Sequence, residues 1–297
     1  MSKVNSTCSC PKFIITLIFT PIICHKFCTF VQKLGYKHFM VKAIFFDIDG
    51  TLVSFKTHRI PDSARKSIEM IRNKGIKVFI ATGRHSSVIN NLDDMEFDGY
   101  ITMNGCYCLQ GNDNVIFKKS IDQADVNSFI DYIQQKRELP CLFVEEHRLS
   151  FNYIDEDVKF LMSLLKQEMP QINDLDYYRD KELFQLTAFF KDSQEEEVMS
   201  LLPNCSAMRW YPTFADVIAK GVDKGVGIDQ FCNYYGFSLE ETMAFGDGGN
   251  DIEMLRHAGI GVAMGNAKEE IKQAADYVTD TVDDDGVLKA LQHFGLV

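Results

Sequence analysis

Val41-Lys42-Ala43-Ile44-Phe45-Phe46-Asp47-Ile48-Asp49-Gly50-Thr51-Leu52 sets an apolar run directly against two carboxylates spaced two residues apart. A run of this length and composition reads as a strand buried on both faces, so Asp47 and Asp49 fall where the strand gives way to its loop. Alternate side chains of an extended chain share a face, and Gly50 permits the main chain to turn there. Solvated loop acids are common, so the pair gains meaning only in company with other motifs.

Three further segments come after it in order. Thr82 stands in Ala81-Thr82-Gly83-Arg84 after the apolar run Ile76 to Ala81, and Lys224 stands in Val222-Asp223-Lys224-Gly225. The acidic loop Gly246-Asp247-Gly248-Gly249-Asn250-Asp251 ends the run Thr242 to Phe245. Taken singly, Thr82 and Asn250 read as helix caps and Lys224 as a surface lysine. The joint occurrence of all four, in this order, is what points to chemistry.

The quartet resembles the haloacid dehalogenase superfamily of phosphohydrolases, in particular its Cof-like branch with a large mixed cap inserted between the second and third motifs. The resemblance runs from about Met40 to the C-terminus. It implies an α/β fold with a Rossmann-like parallel sheet as core and an inserted α+β cap. On that pattern, residues 40–119 and 218–297 form a discontinuous catalytic core, and 120–217 form the cap. Residues 1–39 are expected to be a poorly packed leader upstream of a natural start at Met40.

The resemblance also implies roles. Asp47 is the expected nucleophile, forming an aspartyl-phosphate, and Asp49 the general acid and base; dehalogenases of the superfamily lack this second acid, so its presence favours phosphoryl transfer. Thr82, Gly83, Lys224 and Asn250 are expected to contact the transferring phosphoryl group. Mg2+ is the expected cofactor, with Asp47, the main chain of Asp49, Asp247 and Asp251 as its protein groups, Asp251 either directly or by orienting the shell. Lys220 is the weaker alternative to Lys224. Arg84 and Asn104 are expected either to touch substrate or to hold the interface between domains, and His147, Arg148 and Arg209 are candidates for reading the substrate or members of an exposed polar face.

Composition agrees with such an enzyme. The chain has 297 residues, 46% hydrophobic and 25% charged, which suits two globular domains. Its formal charge is -11; residues 1–39 hold five lysines and no acid, leaving 26 basic against 42 acidic groups beyond them. So acidic a body gains nothing from counterion release on nucleic acid, which is excluded as a partner. Phe13 to Cys24 is an apolar run broken by Pro21 and too short to span a bilayer as a helix, so stable membrane insertion is not expected.

Cys106, Cys108, Cys141, Cys205 and Cys232 are scattered without paired spacing and read as reduced, buried thiols in a cytoplasmic protein. Cys8, Cys10, Cys24 and Cys28 fit no zinc module. The expected activity is hydrolysis of small phosphorylated metabolites, such as sugar phosphates or a phosphorylated cofactor. A phosphomutase of the same superfamily and a phospho-accepting signalling module are the alternatives, the latter disfavoured by Asp49 and by the long insertion. Oligomeric state is left open.

Overall fold

The computed structural model describes residues 40–297 apart from 93, 137 and 138. The expected leader and the cysteines within it lie outside the described residues. The first flank of the chain supplies β1 (Ala43–Phe46), α1 (Asp62–Asn73), β2 (Lys77–Ala81), β3 (Gly99–Thr102), β4 (Tyr107–Gln110) and β5 (Asn114–Lys118). An insertion follows, with α2 (Gln123–Lys136), β6 (Cys141–Val144), β7 (Leu149–Phe151), α3 (Glu156–Leu164), β8 (Gln171–Ile172), β9 (Gln185–Ala188), α4 (Glu195–Ser200), β10 (Cys205–Tyr211) and β11 (Phe214–Ala219). The second flank supplies α5 (Lys224–Tyr235), β12 (Thr242–Gly246), α6 (Ile252–His257), β13 (Ile260–Ala263), α7 (Glu269–Lys272), β14 (Tyr277–Val278) and α8 (Gly286–His293).

The two flanks share one eight-stranded sheet, ordered β14-β13-β12-β1-β2-β3-β4-β5. β1 lies between β12 and β2, parallel to both, with Ala43 opposite Thr242 and Lys77. Each of its residues is buried because each face of the sheet carries helices. Ile44 and Phe46 pack with Ile68 and Ile71 of α1 and Leu291 of α8, while Ala43 and Phe45 pack with Ile228 and Phe231 of α5 and Met254 of α6. The unbroken apolar character of the strand thus follows from two-sided coverage.

The sheet is mixed rather than wholly parallel. β4 pairs antiparallel with β3 and with β5, which adds an antiparallel edge to the expected parallel core. Gly105 and Gly111 adopt positive φ at the turns on either side of β4, where the chain reverses too sharply for a crossover helix.

The insertion builds a separate six-stranded sheet ordered β10-β11-β9-β6-β7-β8. One face is its own core: Val126, Phe129, Ile130 and Ile133 of α2 recur at helical spacing and pack on Phe143, Leu186, Ala188 and Val217. The opposite face is set by register. Leu142 pairs with Thr187 and Val144 with Gln185, and Thr187 in turn pairs with Asp216, so these five side chains share the other side. Among the described residues no helix is long and apolar enough to cross a membrane.

Candidate active site

Asp47, Thr82 and Asp247 each follow the last residue of, or lie directly beyond, a parallel strand of the large sheet, at its carboxyl edge. This is where open α/β sheets bind ligands. The Asp47 amide donates to the Phe245 carbonyl at 3.0 Å, continuing the β1–β12 ladder by one step, and the Thr82 amide does the same to Ile101 at 2.8 Å. Gly50 has φ of 87°, and a Cβ there would collide with the Asp247 carboxylate. The turn after Asp49 therefore needs glycine both for its backbone and for the approach of Asp247.

Lys224 is the first residue of α5, whose N-terminus is capped by Asp223 accepting from the Val226 amide at 2.9 Å. Its ammonium is fully buried and donates to Asp47 Oδ1 and Asp251 Oδ1, both at 2.6 Å. Lys220 is exposed, so Lys224 is the lysine brought to Asp47. Asp251 Oδ2 accepts from the Asp247 and Gly248 amides at 2.9 and 2.8 Å, which folds the acidic loop back on itself. Asp247 Oδ1 accepts from Thr51 at 2.8 Å, and its Oδ2 accepts from Asn266 Nδ2 at 2.9 Å.

Carboxylate oxygens of Asp47, Asp247 and Asp251 lie within 4.8 Å of one another. Burial, and next the charge of Asp251, push Asp247 up to about 7 and hold Asp47 well above the usual carboxylate range. Desolvation disfavours the Lys224 cation, yet Asp251 and Asp47 outweigh it and raise its pKa. One ammonium among so many acids leaves a site short of positive charge. An all-oxygen donor set with surplus negative charge fits a hard divalent cation.

Asp49 stands apart from that cluster. Arg84 grips it with two hydrogen bonds, Nε to Oδ2 at 2.7 Å and Nη2 to Oδ1 at 2.6 Å. Thr82 Oγ1 accepts from the Arg84 amide at 3.1 Å. Arg84 is thus a partner of the second acid, which neither sequence alternative anticipated.

Asn104 forms the polar joint between the two sheets. It is fully buried, at φ of 53°, and its Nδ2 donates to Gln185 Oε1 at 3.0 Å and Asp216 Oδ2 at 3.1 Å. Asn250 Nδ2 donates to Asn104 Oδ1 at 2.9 Å, so its side-chain amide is directed at the joint. Gln185 Nε2 reaches the Gly83 carbonyl at 3.3 Å, and Thr187 donates to Asp216 Oδ1 at 2.6 Å. A second tether is His85, whose Nε2 lies 2.9 Å from the Glu146 carbonyl of the insertion. Burial lowers the His85 pKa, and only a neutral ring protonated on Nε2 satisfies both that carbonyl and the Ser87 amide at Nδ1.

A cavity of about 310 Å³ opens above Asp47 and Asp49, walled by Thr82, Arg84, Gln185, Thr187, Asp216 and Asp247 among others. Of the three further sequence candidates, His147 and Arg148 do not line it, whereas Arg209 does. His147 and Arg148 are exposed, the latter donating to Tyr177. The Arg209 guanidinium is consumed by Glu195 and the carbonyls of Phe190, Pro212 and Phe214. Sequence reasoning missed Asn266, which lies three residues past β13 whereas Asp247 directly follows β12; a search of the loops beyond the strand ends would have found it.

Sheet order, strand-end acids and the buried lysine define a Rossmann-like core with its site at the carboxyl edge, beneath an inserted sheet. A family model described as haloacid dehalogenase-like hydrolase matches residues 44–291, and the chain belongs to that superfamily, among its phosphatases, enzymes that hydrolyse phosphoric monoesters. The solved structure of the HAD subclass IIB sugar phosphatase BT4131 is 50% identical, with a TM-score of 0.83 over 86% of this chain and 100% of that one. Bacillus subtilis YkrA, whose name assigns it provisionally as a phosphatase, is 34% identical over 258 residues, spanning 86% of this chain and 98% of its own. The 5-amino-6-(5-phospho-D-ribitylamino)uracil phosphatase YcsE of the same bacterium is 31% identical over 261 residues, 86% of this chain and 96% of its own.

Proposed function

We propose that the chain is a Mg2+-dependent phosphatase of small phosphorylated metabolites, sugar phosphates or a phosphorylated cofactor or its precursor, acting through an aspartyl-phosphate. The observation that carries this is the Asp47–Lys224–Asp251 ion triad with Asp247 beside it, at the floor of a cavity roofed by the insertion. The names of the relatives, a sugar phosphatase and a phosphatase of a ribityl phosphate, support the substrate class.

In this reading Asp47 attacks phosphorus and the leaving oxygen departs with a proton from Asp49. Asp49 then takes a proton from water, which attacks the aspartyl-phosphate and returns Asp47. Lys224 fixes Asp47 and offsets the charge of an incoming dianion, while Thr82, the Gly83 amide and the loop carrying Asn250 surround the equatorial oxygens. Asp47, Asp49 through its main chain, and Asp247 would hold the cation, with Asp251 orienting the acidic loop. When bound, Mg2+ compensates the charge on the transferring phosphoryl group.

Residues 120–217 act as a cap that excludes water, and 40–119 with 218–297 as the catalytic core. The five described cysteines are buried thiols, Cys106 pushed up to about 12 by burial, which suits a reducing cytoplasm. The deciding experiment is a screen of phosphorylated metabolites with and without Mg2+, with Asp47→Asn as the blank. Turnover that is metal-dependent and lost in the variant is expected; turnover by Asp47→Asn excludes Asp47 as the attacking group.

A further inference from the structure

Two hydrogen bonds from different parts of the chain converge on one main-chain oxygen at the seam between core and insertion. The Val88 carbonyl accepts from Arg84 Nη1 at 3.2 Å and from Gln167 Nε2 at 3.0 Å. A carbonyl oxygen has two lone pairs, so both bonds can stand together. The first donor is the guanidinium that grips Asp49; the second belongs to the insertion.

Each side of this junction is fixed by its own local structure. Gln167 follows α3, whose last turn closes with Lys166 in the left-handed region at φ of 51°. There the Gln167 amide donates to the Met162 carbonyl at 2.9 Å and the Lys166 amide to Ser163 at 3.2 Å, the pair of bonds that ends a helix sharply. α3 is itself anchored on the inserted sheet, with Val158, Leu161 and Met162 packing among Phe151, Phe189 and Phe214. Gln167 therefore travels with the insertion as a rigid part of it. On the core side one short helical turn, Ser86–Val88, carries the carbonyl. The insertion holds this turn at one end through His85 on the Glu146 carbonyl, and at the other through Gln167, whose Nε2 also reaches Asn90 Oδ1 at 3.3 Å.

Resting on the phosphatase reading above, we infer that Gln167 is a positioning residue that couples the seating of the insertion to the general acid. With the insertion down, the Gln167 amide fixes the Val88 carbonyl. That carbonyl holds one nitrogen of Arg84, and the other two nitrogens of the same planar group set both oxygens of Asp49. With the insertion lifted, the turn loses its outer support and the fork on Asp49 loses a fixed point. Proton delivery to the leaving oxygen is thereby tied to a covered site.

A general acid matters most where the leaving oxygen is a strong base, so the choice of ester decides how much a misplaced acid costs. Phenyl phosphate needs its leaving phenoxide protonated; p-nitrophenyl phosphate, of nearly the same shape, needs it far less. First-turnover release of the phenol at saturating ester, with the full chain and Mg2+, reads attack on phosphorus separately from KM and from the later hydrolysis of the phosphoenzyme. Gln167→Ala is expected to slow this release about tenfold for phenyl phosphate and less than about twofold for p-nitrophenyl phosphate, a fraction of the whole contribution of a general acid. Asn90→Ala removes the neighbouring contact and leaves the Val88 carbonyl untouched, so its ratio of the two rates should stay native. An equal loss on both esters in Gln167→Ala, which a simple latch or a direct substrate contact would give, overturns the inference and leaves the phosphatase reading intact. Native rates on both esters, or a ratio shifted as far in Asn90→Ala, do the same. If the native chain hydrolyses neither ester nor any phosphorylated metabolite, the phosphatase reading falls and this inference with it.

Discussion

Arg84 holds Asp49 by a two-pronged ion pair, at 2.6 and 2.7 Å, on the wall of the cavity that opens over Asp47. Both oxygens of the acid that is assigned to proton transfer are thereby accepting from one guanidinium. Each oxygen keeps a further acceptor site, so in the proposed mechanism Arg84 would orient Asp49 while it meets the leaving group.

Arg84→Lys keeps the charge and loses the planar fork. It is expected to lower kcat by roughly 10–100-fold, the scale on which misplaced catalytic groups cost rate. Steady-state kinetics on an aryl phosphate reads this, and a Lys variant with native kcat would show that the fork has no part in turnover.

Lys224 is buried between Asp47 and Asp251. Lys224→Met strands two buried carboxylates, so unfolding by urea should show a loss of about 3–5 kcal/mol together with loss of turnover. Adding Asp251→Asn should restore part of the stability and none of the activity. A double variant no more stable than Lys224→Met would place the strain elsewhere.

The raised pKa values of Asp247, about 7, and of Asp47 set a pH dependence. Between the unfolded carboxylate range and about 7 the folded, metal-free protein binds more protons than the unfolded chain, so its stability falls as pH rises across that window. At about 1.4 kcal/mol per unit the effect reaches a few kcal/mol. Thermal melts in chelator should therefore be lower at pH 8 than at pH 5.5. Bound at this cluster as proposed, Mg2+ would compete with those protons, so it should raise the melting temperature more at pH 8 than at pH 5.5. A Mg2+ effect larger at the acidic pH would contradict the carboxylate cluster as its site.

Gly50→Ala places a Cβ against the Asp247 carboxylate at a positive φ. The backbone cost is about 1–2 kcal/mol. Displacement of Asp247 should in addition raise the Mg2+ concentration for half-maximal activity by about tenfold or more, on the scale of lost supporting contacts at metal sites. Unchanged Mg2+ dependence would separate Asp247 from metal binding.

The parts of this molecule legible in the sequence are those fixed by local pattern. β1 is apolar throughout because helices cover both its faces, so Asp47 at its end stood out, and Thr82 and Asp247 followed by the same logic. Lys224 was preferred to Lys220 through the resemblance alone, and Asp223 caps the helix that carries it. The β4–β5 hairpin was missed because its strands are short and its signals, Gly105 and Gly111, resemble ordinary loop glycines. Arg84 and Asn104 could not be resolved, since their partners Asp49, Gln185 and Asp216 are remote in sequence and no periodicity reports such contacts.

β1 pairs with β12, placing Ala43 beside Thr242. During synthesis the hydrogen-bonding edge of the central strand therefore waits for its neighbour until the whole insertion and α5 have left the ribosome. The strands of the insertion all lie between Cys141 and Ala219 and can close among themselves first. Phe45 and Phe46 meanwhile remain attached to an incomplete layer, the long-range kind of closure that folds slowly and invites association between nascent chains. The same interruption that roofs the cavity thus delays the birth of the floor beneath it.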